Sequence, residues 1–159
     1  MQQALSRSSL PPDDIPIADL AWALSRLDAA AELVVNRAHD EAHHRHSDHI
    51  GSLHLLLALM TDDDPVVRAL RSRGIDGQTI SVGAEHALGP RQEPRFVHLM
   101  YGPNAKAIIF HAARRAQNSS GADASPLHLW WALSRSPHSR AGALLFSLNQ
   151  LDYVQRRTQ

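Results

Sequence analysis

Residues 27–60 of this chain, LDAAAELVVNRAHDEAHHRHSDHIGSLHLLLALM, have a counterpart 74 residues later in residues 101–134, YGPNAKAIIFHAARRAQNSSGADASPLHLWWALS. Without a gap, eight of the 34 aligned positions are identical. Both copies carry the pattern L-H-L-x-x-A-L at the same distance from A-x6-A-x3-A, which accidental matches between alanine- and leucine-rich segments would not produce. An internal repeat predicts two similar units that bury their apolar faces against each other.

The apolar residues within each copy follow a helical period. In copy one, Asp28 can cap a helix in which Ala31, Val34, Val35 and Ala38 lie on one face. No window of the chain shows the sustained alternation of apolar and polar residues that a half-buried strand requires. The sequence therefore predicts an all-α fold.

Composition along the chain divides it into segments. Residues 1–16 are polar and contain several prolines, so we expect a flexible tail, followed by one domain over residues 17–159. Within that domain we place repeat one at residues 27–88, a linker at 89–100 and repeat two at 101–158. The linker assignment is based on Gly89 and Pro90, which interrupt the helical pattern.

Proline, glycine and asparagine mark individual helix ends. Pro65 follows an aspartate and is expected to open a helix in repeat one, and Pro137 is expected to open the corresponding helix in repeat two. Gly74 and Asn149 follow these two helices at matching places. Both residue types tolerate the left-handed conformation that ends many helices, so we predict it at both positions.

The composition excludes several classes of function. The chain has 16 basic and 16 acidic side chains, so no general attraction to nucleic acid or to an anionic membrane is expected. The absence of cysteine excludes disulfides and sulfur-ligated zinc. No apolar run reaches the roughly 20 residues that span a bilayer, and the first residues show no signal-peptide pattern. We therefore expect a cytoplasmic protein.

Both copies resemble the double Clp-N repeat, which forms the N-terminal domain of Clp ATPases. The family pattern is roughly F-T-x-x-A, A-x-x-E-A, H-x-Y-I-G and T-E-H-L-L-L-x-L. The matching segments are LDAAA (27–31), AHDEA (38–42), SDHIG (47–51) and SLHLLLAL (52–59) in copy one, with YGPNA (101–105) and PLHLWWAL (126–133) in copy two. The resemblance implies about eight helices in two four-helix repeats related by a pseudo-twofold axis.

By this resemblance the chain is a non-enzymatic module that binds peptides or proteins. Clp N-domains receive substrates and adaptors for a Clp unfoldase–protease, and in some actinobacterial relatives they capture cyclic-peptide antibiotics. The sequence contains no G-x-x-x-x-G-K-[ST] phosphate loop, so we expect no ATP hydrolysis and no cofactor. A stand-alone domain of this type is expected to act as an adaptor, a competitor or a sequestering protein. Its expected partners are Clp protease components, adaptors, substrate peptides and cyclic peptides.

In the family, the binding surface lies where the first helices of the two copies meet. Tyr101 stands where the family places a phenylalanine, so the resemblance implies that an aromatic anchor is retained. Carried over by position, the surface comprises Leu24, Leu27, Glu32, Val35 and His39 around copy one, with Tyr101, Lys106 and Ile109 from copy two.

One departure from the family pattern concerns phosphoarginine. Family members that recognise it use the glutamate of T-E-H, and this chain has Leu53 and Leu127 at those two positions. A leucine cannot accept the charged hydrogen bonds that a guanidinium donates. We therefore expect phosphoarginine recognition to be lost or much weakened.

A histidine cluster supports an alternative function, that of a His-rich helical metal-binding protein. The cluster consists of His39, His43, His44, His46 and His49, and its first two members are one helical turn apart, a spacing that can chelate zinc or nickel. The matching positions of copy two carry no histidine, and most of the cluster falls in a predicted loop. A solvated polar helix end is the other interpretation, and it is the one that we favour.

Two further pairs of residues recur or stand side by side. His54 and His128 occupy the first turn of an apolar helix in both copies, and we expect them to bond backbone and stabilise the fold. Trp130 and Trp131 are adjacent on one helix and point about 100° apart, so both cannot face the same core. Two alternatives remain: one ring lies in the core and the other at the surface, or neighbouring helices cover both rings.

Overall fold

Helices make up the regular secondary structure of the described residues. The computed structural model describes residues 14–91, 93 and 98–159. Its helices are α1 (Ile17–Leu24), α2 (Ala29–His44), α3 (Ser52–Leu59), α4 (Pro65–Ser72), α5 (Gly77–Leu88), α6 (Pro103–Ser120), α7 (Pro126–Ser134), α8 (Arg140–Ser147) and α9 (Leu151–Arg157). The predicted all-α fold is confirmed, and the nine helices in these ranges are close to the eight that the resemblance implies.

The helices form two sets of four in the same order. Helices α2 to α5 belong to repeat one and α6 to α9 belong to repeat two, while α1 precedes both. In each repeat the first helix packs most extensively on the second, α2 on α3 and α6 on α7. Helix α1 lies along α6, so the start of the described chain is attached to repeat two.

A short backbone bridge joins repeat one to the loop before α7. The Asp28 N–H donates to the Ala124 carbonyl at 2.8 Å, and the Ala124 N–H donates to the Arg26 carbonyl at 2.8 Å. Leu27 therefore forms an isolated parallel β-bridge with Ala124, a residue of repeat two. The hydrogen bonds satisfy backbone groups that would otherwise be buried without partners.

A second bridge repeats this arrangement on the other side of the pseudo-twofold axis. The Gly102 N–H donates to the Ile50 carbonyl at 2.9 Å, and the Ile50 N–H donates to the Met100 carbonyl at 2.9 Å. Tyr101 forms a parallel β-bridge with Ile50, as Leu27 does with Ala124. Each residue of this bridge is 74 positions from its equivalent in the first, so the sequence offset is also the symmetry of the fold.

The two aspartate caps of repeat one agree with the sequence, and the start of α8 in repeat two differs from it. Asp28 and Asp64 accept hydrogen bonds from the first turns of α2 and α4, as their positions predict. The prediction that Pro137 opens α8 is wrong, because that residue lies in a turn and α8 begins at Arg140. Ser139 is the cap there, since its hydroxyl accepts a backbone N–H of the first turn.

Helix ends agree with the sequence in both repeats. Gly74 follows α4 with a φ of 83°, and Asn149 follows α8 with a φ of 59°. Both values lie in the left-handed region, where glycine carries no Cβ penalty and asparagine is better tolerated than most residues. The predicted left-handed conformation is confirmed at both positions.

The two adjacent tryptophans have different environments. Trp130 is fully buried, and its indole N–H donates to the Asp64 carboxylate at 3.1 Å, which ties α7 to the start of α4. Trp131 is half-buried, and the guanidinium groups of Arg115 and Arg135 lie 4.8 and 5.0 Å from its ring centroid. Of the two alternatives, the structure favours the first, with one ring in the core and the other only partly covered.

The predicted tail, residues 1–16, lies largely outside the described residues. Of the three tail residues that are described, Ile15 is buried at 6% exposure and packs just before α1 begins. The flexible tail therefore stays a prediction for residues 1–13. Among the described helices, none combines the length and the apolar character needed to cross a lipid bilayer.

Replacing Gly142 with alanine is expected to destabilise the fold. A Cβ at this position would lie 2.2 Å from the Ser136 carbonyl oxygen and 2.9 Å from Pro137 Cα, which are backbone atoms that cannot rotate away. Overpacking of a core costs about 1–3 kcal/mol, and we expect a loss in the upper part of that range from urea unfolding. Gly77→Ala is the matched control, because a Cβ there meets nothing within 4 Å. Equal stability of the two variants would contradict this packing.

Candidate binding surface at the junction of the repeats

The eight residues carried over from the family fall on α1, α2, α6 and the two bridges. Leu27, Val35 and Ile109 are buried, at 8%, 3% and 0% exposure, and belong to the core. Side chains in a close-packed core shape a surface from beneath and do not contact a ligand unless the packing changes. The accessible members are the half-buried Leu24, His39, Tyr101 and Lys106 and the exposed Glu32.

The neighbourhood of α6 differs from the one that the repeat suggests. Helices α2 and α6, the first helices of the two copies, make no extensive contact in the described part of the chain. Instead α1 lies along α6, where Trp22 meets Phe110 edge to face with ring centroids 5.9 Å apart. The Lys106 ammonium lies 3.6 Å from the Asp14 carboxylate, just before α1. The α1 segment therefore forms one wall of this surface, which reasoning from the repeat alone missed.

Tyr101 is positioned by the bridge between the repeats. Its backbone pairs with Ile50, and its ring packs against the core while remaining half-exposed. Burial raises the pKa of its hydroxyl, which keeps that group neutral. A tyrosine held in this way offers a rigid apolar ring with a polar tip, a combination that suits an interface.

His54 and His128 stand at equivalent positions of the two repeats, and each accepts a hydrogen bond from the backbone of the residue before its helix. The His54 Nδ1 atom accepts the Gly51 N–H at 2.9 Å, and the His54 Nε2 atom lies 3.0 Å from the Ser47 hydroxyl. The His128 Nδ1 atom accepts the Ser125 N–H at 3.0 Å. Both rings bond backbone as the sequence suggests, although His54 is fully buried rather than half-buried.

Both of these histidines are held in the neutral form. Burial lowers the pKa of His54 from 6.5 to about 4, and the charges of His49, Arg45 and Arg140 contribute in the same direction. The pKa of His128 is also lowered, first by burial and then by the guanidinium of Arg115. A neutral ring that accepts a backbone hydrogen bond agrees with the structural role expected for both residues.

The histidine cluster does not come together at one point: His39 and His43 contact each other, and His44 contacts Arg91. The rings of His39 and His43 lie 4.7 Å apart, and His98 comes within 6.4 Å of the first of them. Further along, the Arg91 guanidinium donates to the His44 ring at 3.1 Å. Within residues 14–91, 93 and 98–159, no group of three or more histidine, aspartate or glutamate side chains is arranged to hold a metal ion.

A cleft of about 240 Å³ opens between the repeats at the starts of α3 and α6. Its walls are residues 47–49, 51–54, 88–91 and 102–105, together with Arg45 and Arg140. Sequence reasoning missed this cleft, since its walls come from segments that are distant along the chain. The 74-residue internal repeat was the one sequence signal from which the proximity of the starts of α3 and α6 could have been inferred.

Comparison with known families identifies the domain. Residues 26–148 match the model of the Clp repeat (R) N-terminal domain. The chain belongs to this family. Helix α1 of this Clp N-domain ends before residue 26 and therefore lies outside the segment that the family model covers. No curated protein sequence matches the chain significantly.

Two solved structures have the same fold as this Clp N-domain. The N-domain of ClpV from Vibrio cholerae aligns with a TM-score of 0.68 and 13% identity, over 94% of this chain and 93% of that one. The N-terminal domain of the caseinolytic protease associated chaperone ClpD from Arabidopsis thaliana aligns with a TM-score of 0.64 and 19% identity, over 85% and 93%. At such low identities the likeness shows the fold alone.

The buried His54 is expected to make this Clp N-domain less stable in mild acid. Its pKa is lower in the folded chain than in the unfolded one, so its contribution is fully present above pH 6.5 and is lost as the pH falls toward about 4. The whole loss is about 3 kcal/mol. We expect His54→Asn, which keeps an acceptor but does not titrate, to melt with a weaker pH dependence between pH 7 and 5.

His138→Gln is the control for this measurement, because that histidine is exposed. It should melt with the same pH dependence as the unaltered chain. If His54→Asn also retained the full pH dependence of melting, the buried neutral ring of His54 would not be the source of that dependence.

Proposed function

We propose that this Clp N-domain binds peptides or proteins and acts as an adaptor, a competitor or a sequestering protein for a Clp unfoldase–protease. The family match over residues 26–148 supports the proposal, because Clp N-domains receive substrates and adaptors. Its partners are then Clp protease components, adaptors or substrate peptides. Cyclic peptides are a further ligand class to be tested.

The binding surface that we propose surrounds Tyr101. This ring lies at the junction of the two repeats, where two rigid units meet and a ligand can contact both. Lys106 lies one helical turn into α6 with 17% of its side chain exposed, and Asp14 is its ionic partner. Leu24, His39 and Glu32 supply accessible groups from α1 and α2. Leu27, Val35 and Ile109 support this surface from the core.

We propose that the domain acts without catalysis. The histidines that both repeats share are occupied by backbone hydrogen bonds and are neutral at physiological pH. The described carboxylates act mainly as helix caps and ion-pair partners, as Asp28 and Asp64 illustrate. An accessible aromatic residue held by a packed scaffold is suited to recognition of a partner.

The metal-binding alternative depends on one pair of residues. His39 and His43 are placed for two-point ligation by their 4.7 Å ring separation, and His98 is their nearest described histidine neighbour. Zinc titration followed by calorimetry separates this alternative from peptide binding. Tight binding that His43→Ala abolishes would favour the metal-binding function.

The proposed surface is tested with Tyr101→Ala. Loss of an aromatic anchor typically weakens an interface by about 1–3 kcal/mol, so we expect a drop of that size in affinity for Clp substrate, adaptor or cyclic peptides, measured by calorimetry. Phe146→Ala is the control, because it removes an aromatic ring that is 71% exposed on α8. It should leave the affinity unchanged.

Thermal melting of the same variants separates binding from folding. If Tyr101 serves only the core, its replacement should lower the melting temperature without a specific effect on affinity. A Tyr101→Ala variant that melts and binds as the unaltered chain does would remove this residue from the surface. Capture of Clp ATPase subunits or adaptors from native lysate would then show whether another surface is used.

A further inference from the structure

The cleft at the starts of α3 and α6 is positively charged. Its walls contain three arginines, Arg45, Arg91 and Arg140, against a single acidic side chain, Asp48. The three cations come from the end of α2, the segment after α5 and the start of α8, and they converge only in the folded chain. Burial is the main cause of the low pKa of His54 behind the cleft, and the charges of Arg45 and Arg140 lower it further.

The arginines differ in how much of their charge is already compensated. Arg45 is held by Glu41 at 2.6 Å and lies 3.7 Å from Glu85, and neither glutamate lines the cleft. Arg91 contacts the His44 ring and has no carboxylate partner among the described residues. Arg140 is exposed and has no ion-pair partner among the described residues. Two of the three guanidinium groups are therefore available to an anion.

The helix starts in the cleft add to its positive character. Helices α3 and α6 begin after Gly51 and Gly102, which provide no side-chain cap, whereas α2, α4 and α5 are each capped by an aspartate. The first backbone N–H groups of a helix have no intrahelical acceptor. Those of Ser52, Asn104 and Ala105 belong to residues that line the cleft.

The ring of His49 explains why glycine stands at the start of α6. A Cβ on Gly102 would lie 2.5 Å from His49 Cδ2, so this ring covers the glycine closely. The contact places an imidazole on the wall of the cleft beside the uncapped helix start. A polar ring at this point is compatible with an anionic ligand.

The second repeat does not reproduce this site. At the 74-residue offset, Arg45 corresponds to Ser119 and His49 corresponds to Asp123. The matching region of repeat two therefore lacks a cation and gains a carboxylate. The positive cleft is therefore found on one side of the pseudo-twofold axis, although its walls come from both repeats.

We propose that this cleft binds an oxyanion that carries no guanidinium, a phosphate monoester or a carboxylate presented by a protein partner. Arg140 and Arg91 bind the oxyanion, and the starts of α3 and α6 contribute backbone donors. Leu53 lies buried in the wall where a carboxylate would be needed to hold a guanidinium, which excludes phosphoarginine as the preferred ligand. The proposal deepens the binding function proposed above by naming the chemistry of a second contact.

The test uses the full chain, labelled with nitrogen-15 and titrated with O-phosphoserine, acetate and phosphoarginine in separate experiments. We expect phosphoserine or acetate to shift the amide signals of Ser52, Asn104 and Ala105. Arg140→Gln and Arg91→Gln should each weaken this binding by about fivefold, since each removes a charged hydrogen-bond donor. The control is Arg114→Gln, which removes the same charge from an exposed position far along α6 and should have no effect.

The three probes also identify the source of the oxyanion. Tighter binding of phosphoserine indicates a phosphorylated partner, and equal or tighter binding of acetate indicates a carboxylate. Tighter binding of phosphoarginine than of phosphoserine would overturn the proposal. So would equal weakening by the Arg114→Gln control, shifts confined to other residues, or no saturable shift with either oxyanion. Because the Tyr101→Ala measurement uses another surface, it can succeed or fail independently of these results.

Discussion

Four backbone hydrogen bonds between the repeats position the elements around the candidate binding surface of this Clp N-domain. They tie Leu27 to the loop before α7 and Tyr101 to the loop before α3, with the same geometry on both sides of the pseudo-twofold axis. Each repeat thereby positions the first helix of the other. The half-exposed Tyr101 ring and the cleft beside Gly102 are both consequences of the second bridge, since it brings the starts of α3 and α6 together.

The two repeats share a backbone but not a surface. Equivalent alanines, leucines and capping histidines are retained because the helices of both copies need the same close packing. Elsewhere the copies have diverged: repeat one carries the histidine cluster and Arg45, and repeat two carries Trp131 between two arginines. Even the shared leucine differs, since Leu53 is buried while Leu127 is 46% exposed. Pseudo-symmetry of the fold therefore does not imply two equivalent binding sites.

Local signals were the most reliable part of the sequence. The aspartate caps and the left-handed Gly74 and Asn149 are where they were predicted, because a cap or a helix end depends on a few neighbouring residues. The start of α8 was misplaced by three residues, since a proline at the first helical position and a proline in the preceding turn are hard to distinguish. A serine two residues further on provides the hydroxyl that decides between them.

The sequence by itself determined the all-α class and the division into two repeats, because periodicity and spacing along the chain are sufficient for both, and the resemblance of both copies to the Clp-N motifs indicated the family. Through the same resemblance it predicted an aromatic anchor at Tyr101, and that role stays a prediction. Only the tertiary structure decided which candidate residues are accessible, burying Val35 and Ile109 and placing α1 against α6. It alone brought Arg45, Arg91 and Arg140 into one cleft. The physical reason is that burial and electrostatic convergence depend on contacts between residues far apart in sequence, which no local pattern records.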